Sequence, residues 1–157
     1  MTESQFQQLC CDIGELLKDA SANSINNTDS LISNGYIELQ GVNHRIFFDE
    51  VLTPDTVVCL SELGVIGEEK REQKLETLLG MNLFSSSSFP MAFGIDPTLE
   101  KAVCVRHFDV ATSLSADELA NHLHQMSVYA RHLQNEIALA PVPTAYRGTP
   151  NVNHAIA

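Results

Sequence analysis

Histidine and cysteine are the residue types in this chain that could support catalysis or metal binding. Cys104 and His107 are the one such pair close in sequence, but three residues along a strand place them on opposite faces of a sheet. His122 and His124 point about 200° apart on a helix, while His124 and His132 lie roughly 12 Å apart along its axis. We therefore predict no catalytic residue, no metal ion and no cofactor, with a small thiol-dependent enzyme built around Cys104 as an alternative.

Motifs that bind phosphate or activate a nucleophile are absent from the sequence. No glycine is followed by lysine, and no G-x-S-x-G, H-E-x-x-H or EF-hand pattern occurs. The four cysteines include the adjacent pair Cys10 and Cys11 and form no C-x-x-C motif, which favours a reducing compartment. These features favour a non-enzymatic protein in the cytoplasm.

The charge of the chain restricts its partners. Asp and Glu number 20 against 9 Lys and Arg, which gives a formal net charge of -11 and a pI near 4.8. Phosphate recognition requires clustered basic residues, so we predict no binding to nucleic acid. The sequence also lacks a basic leader and any apolar run of about 18 residues, so we predict no membrane insertion.

Hydrophobic spacing predicts the elements of the first half. Apolar residues three and four apart predict a helix that ends near residue 20, and Thr2 with Gln5 has capping-box spacing at its start. Residues 21–34 are mostly Ser, Asn, Thr and Asp and predict a loop. An antiparallel meander follows, in which residues 53–55 form a turn before the third strand. Its strands are predicted over residues 36–39, 45–49 and 56–63.

The second half predicts a helix over residues 68–84, strands over 91–95 and 102–110, and a long helix over 115–137 with a capping box at Ser115 and Glu118. We therefore expect one α+β domain over residues 1–140 in the order α-β-β-β-α-β-β-α. It contains three helices and a five-stranded, mainly antiparallel twisted sheet. The Pro-containing residues 141–157 are expected to form a flexible tail.

Several apolar strand residues lack an obvious partner in this arrangement. Two long helices cover one face of a five-stranded sheet, so residues such as Ile37, Leu39, Phe47 and Phe48 need a further contact. A second subunit or a bound peptide would supply it. The sequence therefore favours a protein partner.

Motifs of the second half resemble those of a known family. The run Leu75-Glu-Thr-Leu-Leu-Gly-Met-Asn82-Leu-Phe84 is followed by Phe93-Gly-Ile-Asp96-Pro, a strand, and Leu114-Ser-Ala-Asp117-Glu-Leu119. This ordered combination resembles the Tir chaperone (CesT) family of class I type III secretion chaperones. Many relatives carry a tryptophan late in the final helix, where this chain has Arg131-His132.

The resemblance implies a homodimer that binds the N-terminal segment of a secreted effector in extended form. It places the dimer interface on the second predicted helix and the following strand, with candidates Leu75, Leu79, Met91 and Phe93. The effector-binding candidates on the first helix and first strands are Phe6, Leu9, Ile37, Leu39 and Phe47. Since no nucleotide site is predicted, release of the effector would depend on the ATPase of the secretion machinery.

A regulatory or immunity-type binding protein of the same fold is the nearest alternative. Such a protein would bind a folded toxin or a transcriptional regulator rather than an unfolded N-terminal segment. The sequence does not separate these two functions, and both predict a protein partner.

Overall fold

The computed structural model describes residues 1–20, 25–26, 28–49, 51, 53–84, 91–98, 100–110, 114–137 and 139. Four helices lie within these ranges: α1 (Glu3–Ala20), α2 (Thr28–Asn34), α3 (Arg71–Phe84) and α4 (Ala116–Glu136). The strands are β1 (Ile25–Asn26), β2 (Tyr36–Leu39), β3 (Val42–Asp49), β4 (Thr53–Val65), β5 (Met91–Asp96) and β6 (Lys101–Asp109). The predicted tail, residues 141–157, lies outside the described residues.

The strands form one antiparallel sheet in the order β1-β2-β3-β4-β6-β5. Its five longer strands are the five that the sequence predicts, and the α+β class is confirmed. β1 contributes only two residues beside β2. Gln40 and Gly41, both with positive φ, form the two-residue turn between β2 and β3, a turn type that matches the natural twist of a hairpin.

The two faces of the sheet differ in how they are covered. Along β2, β3, β4 and β6, the residues that pack against the helices lie at alternate positions. The register of the strands places these residues on the same face of the sheet. On this face α1, α2 and the start of α4 cover one apolar cluster, while α3 and the rest of α4 cover a second. No described helix contributes to the opposite face, which we call the open face.

Helix α2 and strand β1 correct the prediction of a loop over residues 21–34, so the predicted count of three helices is wrong. Leu31 is fully buried in the first apolar cluster, and Asp29 lies in the favourable first turn of α2. The backbone N–H of Gly35 donates to the carbonyl of Leu31, with Gly35 in the left-handed conformation of a helix end. Gly35 therefore lies between the end of α2 and the start of β2.

The predicted turn over residues 53–55 is also wrong, because β4 already begins at Thr53. The change of direction comes earlier, where the Asp49 carboxylate accepts a hydrogen bond from the N–H of Val51 at 2.9 Å. Pro54 lies beyond the residues at which β6 pairs with β4 and falls in the irregular part of the β3–β4 pairing, so its missing N–H interrupts neither ladder. Its carbonyl accepts a hydrogen bond from the N-terminal amine of Met1.

Both predicted capping boxes form at least one of their hydrogen bonds. The hydroxyl of Thr2 accepts from the Gln5 N–H at 3.3 Å, and the Gln5 side chain accepts from the Thr2 N–H at 2.8 Å. The Ser115 hydroxyl accepts from the Glu118 N–H at 3.1 Å and begins α4. These contacts satisfy backbone donors that the first helical turn would otherwise leave unpaired.

Candidate interaction surfaces

The buried thiols do not have the environment of nucleophiles. Burial raises the pKa of Cys10, Cys59 and Cys104 to about 12, so the thiolate form is rare at neutral pH. Cys104 faces the second apolar cluster while His107 is exposed on the other side of β6, as the strand alternation predicts. The geometry around Cys104 therefore does not support the alternative of a thiol-dependent enzyme.

A buried hydrogen-bond chain joins α4 to the sheet through His44. The Ser127 hydroxyl donates to the Leu123 carbonyl at 2.9 Å and therefore accepts from Nε2–H of His44 at 2.8 Å. The other ring nitrogen, Nδ1, then accepts from the Ser61 hydroxyl at 2.8 Å. These partners suit a neutral imidazole. Burial, with a smaller contribution from His122, lowers the pKa of His44 from 6.5 to about 3.

A second buried histidine lies nearer the start of α4. Nη1 of Arg106 donates to Nδ1 of His122 at 3.2 Å, and the same guanidinium lies 4.4 Å from the ring centre of Phe108 and 3.8 Å from a carboxylate oxygen of Glu118. Burial and the charge of Arg106 lower the pKa of His122 from 6.5 to about 4. We call His44, Ser61, Ser127, His122 and Arg106 the buried polar seam. Hydrogen bonds within this seam connect α4 to β3, β4 and β6.

Helix α3 presents leucines to solvent on the side away from the core. Leu79 is 67% exposed and Leu83 is 85% exposed, whereas Leu78 is buried in the second apolar cluster. Among the other predicted dimer residues, Leu75 and Met91 are half-buried and Phe93 is buried. The structure thus places Leu79 and Leu83 where a partner could cover them, and Leu83 was recognisable only from its spacing of four from Leu79.

Asn82 connects α3 to the edge of the sheet. Its Nδ2 donates to the carbonyl of Phe93 at 3.0 Å, and its Oδ1 accepts from the N–H of Phe93 at 2.7 Å. The side-chain amide therefore takes the place of a neighbouring peptide group beside β5. Sequence reasoning included Asn82 in a motif but assigned it no role.

The predicted effector-binding residues occupy different environments. Ile37 and Leu39 are fully buried in the first apolar cluster, so neither is accessible in this conformation. Phe6 is buried and lies 5.9 Å, between ring centres, from Phe48, while Leu9 is half-buried beside the same cluster. Phe47 lies on the open face, is 37% exposed, and has the Arg45 guanidinium 5.7 Å from its ring centre. The structure does not bring the five together as one surface.

The open face carries a continuous polar row. The hydroxyl of Tyr36 donates to Asn43 at 2.6 Å, and Asn43 donates to Glu62 at 2.8 Å. Nζ of Lys101 completes the row with a 2.8 Å ion pair to Glu62. These contacts cross β2, β3, β4 and β6 and fix the relative positions of the strands. Beside the row lie the apolar residues Phe47, Val58, Leu60 and Val105.

Neither a metal site nor a membrane helix is found in the part of the chain that the structure describes. No group of three or more His, Cys, Asp or Glu side chains in these ranges could hold a metal ion. None of the described helices is long and apolar enough to cross a membrane.

Comparison with known families gives one match. Residues 34–134, more than half of the 157-residue chain, match the model of the Tir chaperone protein (CesT) family. The matched range begins at the end of α2 and extends through most of α4, so it includes the open face, the buried polar seam and the α3–β5 surface. No curated protein matches the chain.

Proposed function

Because the chain belongs to the Tir chaperone (CesT) family, we propose that it is a homodimeric, cytoplasmic type III secretion chaperone that binds the N-terminal region of a secreted effector. Bound in this way, the effector segment stays soluble and competent for secretion. The family match over residues 34–134 is the observation that carries this proposal. The function is one of binding, and release of the effector depends on the ATPase of the secretion machinery.

The proposed dimer forms through α3 and β5. Its central residues are Leu79 and Leu83, which are exposed in the single chain, with Leu75 and Met91 at the margin. Covering one exposed leucine completely contributes about 1.5–3 kcal/mol. In a two-fold symmetric dimer each contact occurs twice, because both subunits contribute the same surface patch. The backbone of Phe93 forms two hydrogen bonds with the Asn82 side chain, and these bonds hold β5 beside α3.

The proposed effector site uses the opposite end of the sheet. Phe47 offers apolar area on the open face, and the half-buried Leu9 offers it on the helix-covered face, where Phe6 packs against Phe48. An extended segment can add backbone hydrogen bonds along a strand while its alternate side chains enter apolar pockets. A net charge of -11 favours a segment with few acidic residues.

Co-expression tests the proposed function. The probe is the product of the neighbouring gene, produced both as its N-terminal region and as the remainder of that protein. We expect the N-terminal region to be insoluble alone, soluble with the chaperone, and to co-purify with it. Binding only to the folded remainder would instead support a regulatory or immunity-type protein.

Light scattering tests the dimer. We expect a dimer mass at micromolar concentration, and the substitution Leu79→Asp should shift it to the monomer without loss of the circular dichroism spectrum. Val128→Asp is the matched control, because Val128 is 49% exposed on α4, away from the proposed interface. A monomer mass for the unsubstituted chain would refute this part of the proposal.

A further inference from the structure

The two edges of the sheet are closed to different extents. At the β5 edge, both backbone polar groups of Phe93 are engaged by the Asn82 side chain, which is itself held in α3. A strand added there would have to displace a side chain on a 14-residue helix. The β5 edge is therefore unsuited to strand exchange.

At the opposite edge of the sheet, β2 is covered by the short strand β1. Among the described residues, β1 pairs with β2 at Ile25 opposite Leu39 and at Asn26 opposite Glu38. Strands in proteins usually extend over about five or six residues, so this pairing is short. A longer incoming strand would gain more backbone hydrogen bonds than β1 gives up.

Helix α2 adds one apolar anchor to this edge. It packs against α1 and β2, and Leu31 is fully buried in the cluster that contains Ile37 and Leu39. The following residues of α2, Ile32, Ser33 and Asn34, are exposed. A seven-residue helix is too short to be stable without such packing. Among the described apolar side chains of α2, Leu31 is the one that is buried in the core.

Gly35 gives this segment a fixed pivot. Its φ is +63°, and an added Cβ would overlap the carbonyl of Ile46, so no other residue fits easily. The carbonyl of Gly35 accepts from the N–H of Ile46 at 2.6 Å, which joins the pivot to β3. Movement of α2 therefore need not disturb β2 or β3.

We propose that β1 and α2 form a displaceable cover over the β2 edge, and that an extended segment of the effector replaces β1 and reaches Ile37 and Leu39 once the cover moves. This inference rests on the proposed function. Such movement of the cover would let the effector reach Ile37 and Leu39, two predicted contact residues that are fully buried in this conformation. β1 and nearly all of α2 precede the residues that the family model matches, so the cover is a property of this chain and not of that match.

A reversible lock tests whether the cover must move. Asn26 and Glu38 are directly opposed in antiparallel register, where Cα atoms lie about 5.5 Å apart or closer, within the range of a disulfide. In the double variant Asn26→Cys/Glu38→Cys, oxidation should weaken binding of the N-terminal probe at least tenfold, and reduction should restore it. Each single variant under the same oxidant controls for the native cysteines, and mass spectrometry verifies the 26–38 bridge.

Loosening the cover should have the opposite effect. Leu31→Ala removes the buried anchor of α2, and we expect binding of the same probe to tighten about tenfold because a larger fraction of the chaperone is open. Leu123→Ala is the matched control, since Leu123 is equally buried in the same cluster but belongs to α4. It should lower stability by a similar amount without tightening the complex.

The outcomes separate this inference from the proposed function. If the oxidised lock binds the probe as tightly as the reduced form, the cover does not have to move and the inference is wrong, while the chaperone function stands. Equal or weaker binding by Leu31→Ala than by Leu123→Ala would also contradict it. If the unsubstituted chain fails to bind the N-terminal region at all, the proposed function itself fails.

Discussion

Acid should lower the free energy of unfolding, because the buried polar seam between α4 and the sheet holds two histidines in their neutral form. The folded-state pKa values of His44 and His122, about 3 and about 4, lie below the unfolded value of 6.5. The unfolded chain therefore binds more protons at mildly acidic pH, and stability decreases as pH falls. The contribution of both groups is fully present above pH 6.5 and is lost progressively as pH falls toward their folded values.

The size of the effect follows from the shifts. A pH of 5 lies about 1.5 units below the unfolded pKa of 6.5. At this pH each histidine is protonated in the unfolded chain and neutral in the folded one. At 1.36 kcal/mol per unit, each then costs about 2 kcal/mol of unfolding free energy, or about 4 kcal/mol for the two. A domain of this size has a total stability of about 5–15 kcal/mol, so the loss is large.

Urea unfolding followed by circular dichroism at pH 7.5 and pH 5.0 measures this loss. We expect His44→Gln and His122→Gln each to reduce the pH-dependent difference by about 2 kcal/mol, whatever their effect on stability at pH 7.5. His132→Gln is the control, because this histidine of the same helix is 63% exposed and lies outside the seam. It should leave the difference unchanged.

One pattern of results would refute the reasoning. If the unsubstituted protein loses stability at pH 5 but both seam variants lose the same amount, carboxylates elsewhere cause the acid sensitivity. If the protein is equally stable at both pH values, His44 and His122 do not stay neutral in the folded state. In either case the hydrogen-bond directions inferred for the seam would be wrong.

Three further substitutions test local features by urea unfolding. Ser115→Ala removes the cap of α4 and should cost about 1 kcal/mol, whereas Ser115→Asp should retain most of it. Gly35→Ala forces a Cβ against the Ile46 carbonyl at positive φ and should cost more than the backbone strain alone, which is about 1–3 kcal/mol; an unchanged midpoint would show that the turn relaxes freely. Asn82→Ala leaves the backbone of Phe93 without its side-chain partners and should cost about 1–3 kcal/mol, with faster amide exchange at Phe93; unchanged exchange would contradict the edge-closing role.

Local signals were sufficient to predict most elements. The capping boxes at Thr2 and Ser115 fixed the starts of α1 and α4, because the hydrogen bonds they make are within one helical turn. Strand alternation also placed Cys104 and His107 correctly on opposite faces of β6. Such features depend on neighbours in sequence and can be recognised without knowledge of the fold.

Features that depend on distant residues were not predictable in the same way. Alternation showed that Ile37 and Leu39 share a face, but not that α1 and α2 cover that face. Similarly, Leu78 and Leu79 belong to one leucine-rich stretch, yet only the packing of α3 determines that Leu78 points to the core and Leu79 to solvent. Helix α2 was missed because its two apolar residues, Leu31 and the exposed Ile32, are adjacent and give no helical period.

Exchange of the cover requires the strand beneath it to stay in place, and the contacts are distributed accordingly. The turn that ends β2 is attached to α4, since Arg131 donates to the Gln40 side chain at 2.6 Å. Opposite Ile37, His44 joins β3 to Ser61 and Ser127. In the described part of the chain, the cover is attached through the β1–β2 pairing and the buried Leu31, so we expect it to move while β2 remains fixed. This difference in attachment is why we expect the lock and the Leu31 substitution to act on binding rather than on the fold as a whole.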